Sequence, residues 1–214
     1  VIQDISSMLA VEALGLPKMD NQGTLKILDI CAAPGGKSML AADILNHADI
    51  DYMLEARDIS EYKVELMQEN FNRCHLNKAK AVAWDALEPD ERWLGQADVV
   101  IADIPCSGLG VIGRKRDIKY KMTPQAVQDI VELQEKILKV AASYVKKGGS
   151  TCTVNKDENE AHVKWIQDTL KMTPVSLNGT LPGLVHSPTT QQGFVQLIPG
   201  MQDTDGFFIS VFEK

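Results

Sequence analysis

Leu28-Asp-Ile-Cys-Ala-Ala-Pro-Gly-Gly-Lys-Ser38 is the stretch on which the fold turns. It closes an apolar run, Leu25–Ile30, that reads as a buried strand, and it opens a helical run over Met39–Leu45. A strand that turns through glycines into a helix presents backbone N–H groups and a helix N-terminus to whatever lies above the turn. Two nucleotide loops of this kind compete, and both fail on residues. A phosphate-binding loop needs Gly-x4-Gly-Lys-Ser; Gly36-Lys37-Ser38 supplies its end, but Cys31 stands where the first glycine belongs. The dinucleotide pattern GxGxxG is absent too. What remains is a loop suited to an adenosine-containing ligand without phosphates. Asp58, 22 residues beyond Gly36, stands where an acceptor for ribose hydroxyls belongs.

Working outward, strands and helices alternate. Tyr52-Met-Leu-Glu-Ala56 suggests a second strand, ended by Asp58, and Ser60 can cap a helix with Val64, Met67 and Phe71 on one face. Ala79–Trp84 is the third strand and Ala97–Ala102 the fourth, the latter nearly all apolar, as in a sheet covered on both faces. Thr123-Pro124 opens a long helix whose stripe is Val127, Ile130, Ile137, Ala141 and Val145, and Lys146-Lys-Gly-Gly149 stops it. A further helix over Glu158–Leu170 puts Val163, Ile166 and Leu170 inward, and Gly206–Phe212 is a late strand. The pattern predicts one α/β domain over residues 1–214, a mainly parallel sheet with helices on both faces. One place does not fit. A strand is needed between Gly149 and Thr151-Cys152, and Ser150 alone stands there. Either that strand is unusually short, or a few residues are missing near Gly149–Ser150.

Composition narrows the function classes. The 214 residues are 44% hydrophobic and 24% charged, enough for a packed core. No apolar stretch reaches the ~18 residues of a membrane span, and Val1-Ile-Gln-Asp-Ile-Ser-Ser7 is not a secretory signal. A chain that starts with Val also fits a fragment. The net charge of -7, from 22 basic and 29 acidic residues, argues against bulk attraction to phosphate, so nucleic-acid contact needs a local basic patch. Cys31, Cys74, Cys106 and Cys152 form no CxxC pair, and His47, His75, His162 and His186 share no metal spacing. The expectation is a reduced, cytoplasmic monomer without metal.

Two further constellations lie at strand ends. Ala102-Asp-Ile-Pro-Cys-Ser-Gly108 follows the fourth strand directly, and Ser150-Thr-Cys-Thr153 belongs to the next. Open α/β sheets bind ligands at the carboxyl ends of their strands, so Asp103, Cys106 and Cys152 belong to one edge. A single cysteine there is usually a small buried hydrophobe; two, both facing a cofactor loop, point to a catalytic thiol.

CAAPGGK at Cys31–Lys37, DIPCSG at Asp103–Gly108 and TCTVNKDENE at Thr151–Glu160 together resemble the Sun-type S-adenosylmethionine-dependent RNA cytosine-5 methyltransferases, in particular their bacterial small-subunit rRNA branch. Val1–Ser7 and Asp205-Gly-Phe-Phe208 resemble the family's opening and closing motifs, so the likeness covers essentially the whole chain. Two departures are Ile104, where the family usually has Ala, and the missing strand before the TC motif. The resemblance implies a Rossmann-like class I methyltransferase fold. It further implies S-adenosylmethionine held by Cys31, Ala32, Ala33, Pro34, Gly35, Gly36, Lys37, Asp58, Asp85 and Asp103. By the same likeness Cys152 is the nucleophile on carbon 6 of cytosine, Cys106 assists the final elimination, and Asp103 bonds the base near its ring nitrogen. For Asp85 a turn acid after a strand is the alternative. The family commonly adds an N-terminal RNA-binding domain, which this chain is expected to lack. Rival readings are action on tRNA or another RNA, action on DNA with Cys106 as nucleophile, or a catalytically silent RNA-binding module.

Gly113-Arg-Lys-Arg-Asp-Ile-Lys-Tyr-Lys121 supplies the local basic patch, with Arg114, Lys115, Arg116, Lys119 and Lys121 against one acid. Next to the expected cleft of an acidic chain it reads as a phosphate track, and the family likeness assigns it to RNA binding. Replacing Arg114, Lys115 and Arg116 together is expected to weaken RNA binding and to flatten its salt dependence by up to about one phosphate per charge removed. Binding isotherms at several salt concentrations check this; an unchanged slope returns the strip to a solvated surface.

Overall fold

The apolar runs become strands. Leu25–Asp29 (β1), Tyr52–Asp58 (β2), Ala79–Ala83 (β3) and Ala97–Ala102 (β4) fall on the four expected segments. Val145–Val154 (β5), Thr173–Pro174 (β6), Phe194–Leu197 (β7) and Phe207–Glu213 (β8) complete one sheet. The computed structural model describes residues 3–19, 23–106, 123–154, 159–181, 189–197 and 207–214, without the side chains of 124, 147–154 and 159–160. The strand order is β3-β2-β1-β4-β5-β8-β6, with β7 also paired to β8. β1 to β5 are parallel, and β8 joins β5, β6 and β7 antiparallel. The chain leaves β1 toward β2 on one side and returns to β4 on the other, the reversal above which open α/β sheets hold ligands.

Helices cover both faces, and alternation along β1 and β4 assigns them. Ile27, Val99 and Ile101 pack toward Ile5–Glu12 (α1), Gly36–His47 (α2) and Glu61–Arg73 (α3), through Val11, Ala41, Leu45, Met67 and Phe71. Leu28, Val100 and Ala102 pack the other way, onto Ile137, Leu138 and Ala141 of Pro124–Tyr144 (α4) and Val163 of Asn159–Trp165 (α5). Thr123 caps α4, accepting from the Ala126 N–H at 3.1 Å. Ser60 occupies the cap position of α3 but makes no side-chain cap bond; its own N–H donates to Asp58 Oδ1 at 3.0 Å instead. The stretch 166–170 is a π-helical turn, so the helix expected over Glu158–Leu170 is α-helical only over Asn159–Trp165. α1, β6 and β7 were not legible as elements.

α4 stops earlier than its sequence suggests. Its last residue is Tyr144, and Lys146–Gly149 lie inside β5 rather than in a helix stop. The reason is long-range: Tyr144 is buried, its hydroxyl accepting from the Asp90 N–H at 2.9 Å and donating to the Glu88 carbonyl at 3.2 Å. Val145 then pairs with Ala97 as extended backbone. The ten residues of β5 thus contain the strand that seemed absent, and no omitted residues are needed to reach the sheet. The adjustment is a register shift in which the step from Ala97 to Val99 on β4 answers that from Val145 to Ser150 on β5.

Arg57 ties β2 to the loop after β3. Its guanidinium is 1% exposed and pairs with Glu55 and Asp90, each at 2.5 Å, with the rings of Trp84, Trp93 and Tyr144 at 5.0, 5.9 and 5.8 Å. Hydrogen bonds from Arg92, and after them those from Arg57, hold the Asp90 carboxyl down at about 2. Asp90 therefore contributes stability that is present above the ordinary pKa of 3.8 and is lost as pH falls through about 2. In urea unfolding Asp90→Asn is expected to lose less stability than the parent between pH 4 and pH 2. Asp90→Ala, which strips one partner from a buried cation, is expected to cost about 3 kcal/mol at pH 7.

Candidate functional site

The loop between β1 and α2 is shaped by one glycine. Gly35 has φ 93° and ψ 7°, and a Cβ there would sit 3.3 Å from Met67 Cγ and 3.4 Å from Phe71 Cε1. Conformation and space both demand glycine. The Gly35 N–H donates to the Ala32 carbonyl at 2.6 Å, and the Ala32 N–H donates to the Arg57 carbonyl at 2.7 Å, which pins the loop to β2. The Ala33–Pro34 peptide is cis. In the first turn of α2, Ser38 Oγ donates to Asp29 Oδ2 at 2.7 Å and Lys37 Nζ reaches Asp103 Oδ2 at 2.5 Å.

A cavity of about 290 Å³ opens beside this loop, at the ends of β1, β2 and β3 and against α4. Cys31, Asp58 and Asp85 line it, together with Ile59, Lys63, Trp84, Leu87, Pro105, Leu133 and Ile137. Asp58 accepts from the Ser60 N–H, and its Oδ1 lies 3.6 Å from Lys63 Nζ. Asp85 Oδ1 accepts from the Leu87 N–H at 2.9 Å, so this acid both makes a turn and faces the cavity. Burial first, then the carboxylates of Asp29, Asp103, Asp58 and Asp85, push the Cys31 thiol up to about 12. At neutral pH Cys31 is no nucleophile.

Of the loop residues expected around one ligand, Cys31 alone lines this cavity. Ala33 and Pro34 face a smaller hollow with Lys63 and Leu66, Gly36 faces a groove with Gln3, Met39 and Asp43, and Ala32 is buried. Lys37 is 8% exposed with its ammonium on Asp103 and 5.5 Å from the Phe207 ring, so its charge is held at the segment that follows β4, and it does not line the cavity. Asp103, 35% exposed, and Cys106, exposed, flank the cavity without lining it, on either side of Ile104 and Pro105. The Cys152 backbone pairs with Ile101 on one side and Val211 on the other. Arg114, Lys115, Arg116, Lys119, Lys121 and His186 lie outside the described residues, as does the Cys152 side chain. Among the described residues no three His, Cys, Asp or Glu side chains could hold a metal ion, and no helix is long and apolar enough to cross a membrane.

Sequence reasoning missed Trp84, Leu87, Leu133 and Ile137 as cavity walls. Trp84 carried a signal, since it stands at a strand end one residue before Asp85. Leu133 and Ile137 carried none beyond the core stripe of α4.

Residues 16–213 match a family model described as 16S rRNA methyltransferase RsmB/F. The chain is 39% identical over 220 residues to the "Probable ribosomal RNA small subunit methyltransferase B" of Bacillus subtilis, and 29% identical over 219 residues to the ribosomal RNA small subunit methyltransferase F of Escherichia coli. Each alignment takes in 100% of this chain but 47% and 44% of those proteins, so the chain spans about half the length of the curated relatives it matches. A methyltransferase homolog protein from Pyrococcus horikoshii superposes with a TM-score of 0.79 at 24% identity, over 100% of this chain and 68% of its own. NSun6 from the same organism, solved with SFG, gives 0.78 at 24% identity, over 99% and 52%. At that identity these two likenesses establish the Rossmann-like methyltransferase fold.

Asp29 generates a test of the loop's electrostatics. It is wholly buried, its Oδ1 has no side-chain partner among the described residues, and burial outweighs the Ser38 hydrogen bond, the Lys37 charge and a backbone hydrogen bond from Cys31 to raise its pKa to about 7. A raised acid contributes stability that is present below its ordinary 3.8 and is lost as pH rises through about 7. Asp29→Asn keeps an acceptor for Ser38 and cannot titrate. Thermal melts of this variant are expected to vary less than the parent's between pH 5 and pH 8.

Proposed function

The chain belongs to the RsmB/F family of 16S rRNA methyltransferases, and from that premise we propose that it transfers a methyl group from S-adenosylmethionine to carbon 5 of a cytosine in small-subunit ribosomal RNA, through a covalent cysteine–cytosine adduct. The observation that carries the reading is the β4–β5 register. Parallel pairing of Ile101 with Cys152 and Ala102 with Thr153 brings the Asp103–Cys106 segment and Cys152 to the same edge of the sheet, beside the loop of β1.

The cavity suits the cofactor by its donor set. Among the described residues, two carboxylates, Asp58 and Asp85, an indole and aliphatic walls meet one cation, Lys63. Carboxylates accept from ribose hydroxyls and an exocyclic amine but repel phosphate, which favours an adenosine that carries a sulfonium cation. The NSun6 structure with SFG, an analogue of S-adenosylmethionine, supports the same choice. When bound, the cofactor supplies an electrophilic methyl group.

The chain's own residues make the cytosine receptive. Carbon 5 is a poor nucleophile until the Cys152 thiolate adds to carbon 6; the new S–C6 bond converts the ring to an enamine with electron density at carbon 5. Asp103, held by Lys37 yet 35% exposed, lends a proton to the ring nitrogen, which neutralises the negative charge the incoming thiolate brings, and recovers it on release. Once carbon 5 is methylated, the Cys106 thiolate takes its proton. The freed pair restores the C5=C6 bond and expels the Cys152 thiolate.

The two cysteines are expected to fail differently. Cys152→Ala abolishes methylation and forms no adduct, whereas Cys106→Ala completes transfer and accumulates a covalent protein–RNA complex. A denaturing gel with labelled small-subunit rRNA reads both. An adduct in Cys152→Ala would reverse the roles and point to DNA-type chemistry with Cys106 as nucleophile.

A further inference from the structure

Gln134 is a polar residue in an apolar place. The α4 stripe of Val127, Ile130, Ile137 and Ala141 leaves position 134 for another hydrophobe, and glutamine stands there. The residue is 0% exposed. Its Nε2 donates to the Pro105 carbonyl at 2.8 Å, while its Oε1 is buried with no partner among the described residues. Keeping an amide here leaves an acceptor unsatisfied, which costs stability an apolar side chain would not lose. The one bond it makes must therefore serve something other than packing.

That bond grips the segment that leaves the sheet after Ala102, the last residue of β4. The first half of the segment has its own anchors: Asp103 is paired with Lys37 at 2.5 Å, and Ile104 is 3% exposed. The second half is exposed at Pro105 and Cys106, and Pro105 has no N–H to give. Gln134 holds the chain at the carbonyl of the peptide group that joins Pro105 to Cys106.

We propose that Gln134 is the positioning residue for Cys106: by holding the Pro105 carbonyl it fixes the peptide that carries this thiol, and so governs release of the methylated base rather than methyl transfer. The proposal rests on the reading of Cys106 as the release residue. In that step the Cys106 thiolate accepts the carbon 5 proton and becomes a thiol, the C–H pair re-forms the C5=C6 bond, the C6–S bond breaks, and Cys152 departs as thiolate. Attack and transfer depend on Asp103 and Cys152, whose anchors are Lys37 and the β4–β5–β8 pairing, and not on Gln134.

The test is Gln134→Met, which keeps length and removes the donor, with Gln134→Leu as a second variant. Both variants give up the bond to the Pro105 carbonyl but also delete the orphaned Oε1, and their melting temperatures are expected close to the parent's. With a small-subunit rRNA transcript and labelled S-adenosylmethionine, single-turnover methyl incorporation is expected within about twofold of the parent. The adduct is expected to decay about tenfold more slowly, a difference of about 1.4 kcal/mol. Leu138→Met, a packing change on the same helix at a 4% exposed site, is the control and is expected to release at the parent rate. Equal slowing of transfer and release, unchanged adduct decay, or the same accumulation in Leu138→Met would each overturn the role of Gln134. Cys106→Ala, run alongside, separates the failures: if it accumulates adduct while Gln134→Met does not, the proposal falls and the reading of Cys106 stands; if it accumulates none, both fall.

Discussion

β4 is hydrogen-bonded in parallel to β1 on one side and β5 on the other, and its six residues, Ala97–Ala102, are all buried. A central parallel strand of this kind has no freedom of register, because a slip of one residue would exchange the faces of Val99 and Val100 between two helical layers. Parallel ladders also deliver all carboxyl ends to one edge. The Cys31 loop, the Asp103–Cys106 segment and Cys152 are far apart in the chain, and they meet because β1, β4 and β5 are neighbours in this order.

Charge is arranged around that edge with little to spare. In a chain of net charge -7, two of the described cations near the edge are committed: Lys37 to Asp103, and Arg57 to Glu55 and Asp90. Burying such pairs contributes little net stability, since desolvation offsets much of the attraction. What they provide is placement. Arg57 receives the Ala32 N–H on its carbonyl and holds Asp90 with its side chain, so one residue of β2 sets both the loop below the cavity and the Trp84–Leu87 wall above it. Asp29 and Cys31, deprived of water and surrounded by acids, are held toward their neutral forms. The edge can therefore carry Asp58, Asp85 and Asp103 without a larger accumulation of negative charge.

Residue by residue, the local features could be read from the chain alone. Gly35 had to be a glycine turn because the strand and helix on either side demanded one, and Asp58 followed from its place at a strand end, whereas Asp85 was named only through the family likeness. Trp84 and the apolar stripe of α4 could be read as structure but not as cavity, because lining a cavity depends on what lies across it. Membership of a methyltransferase family was likewise legible, as three motifs in order.

The tertiary structure decided the rest. Lys37 belongs to Asp103 and not to the cavity, since the β1–β4 pairing sets the two side by side. α4 ends at Tyr144 because a phenol buried against Asp90 and Glu88 fixes that residue, and β5 then begins at Val145 and takes in Lys146–Gly149, which taken locally look like a helix stop. Gln134 drew no reading from the sequence, and its partner, the Pro105 carbonyl at 2.8 Å, is set by the packing of α4 on the segment after β4. Turn and helix signals are short-range and survive in sequence. The partner of a buried polar group lies tens of residues away, and only the packed sheet specifies which one it is.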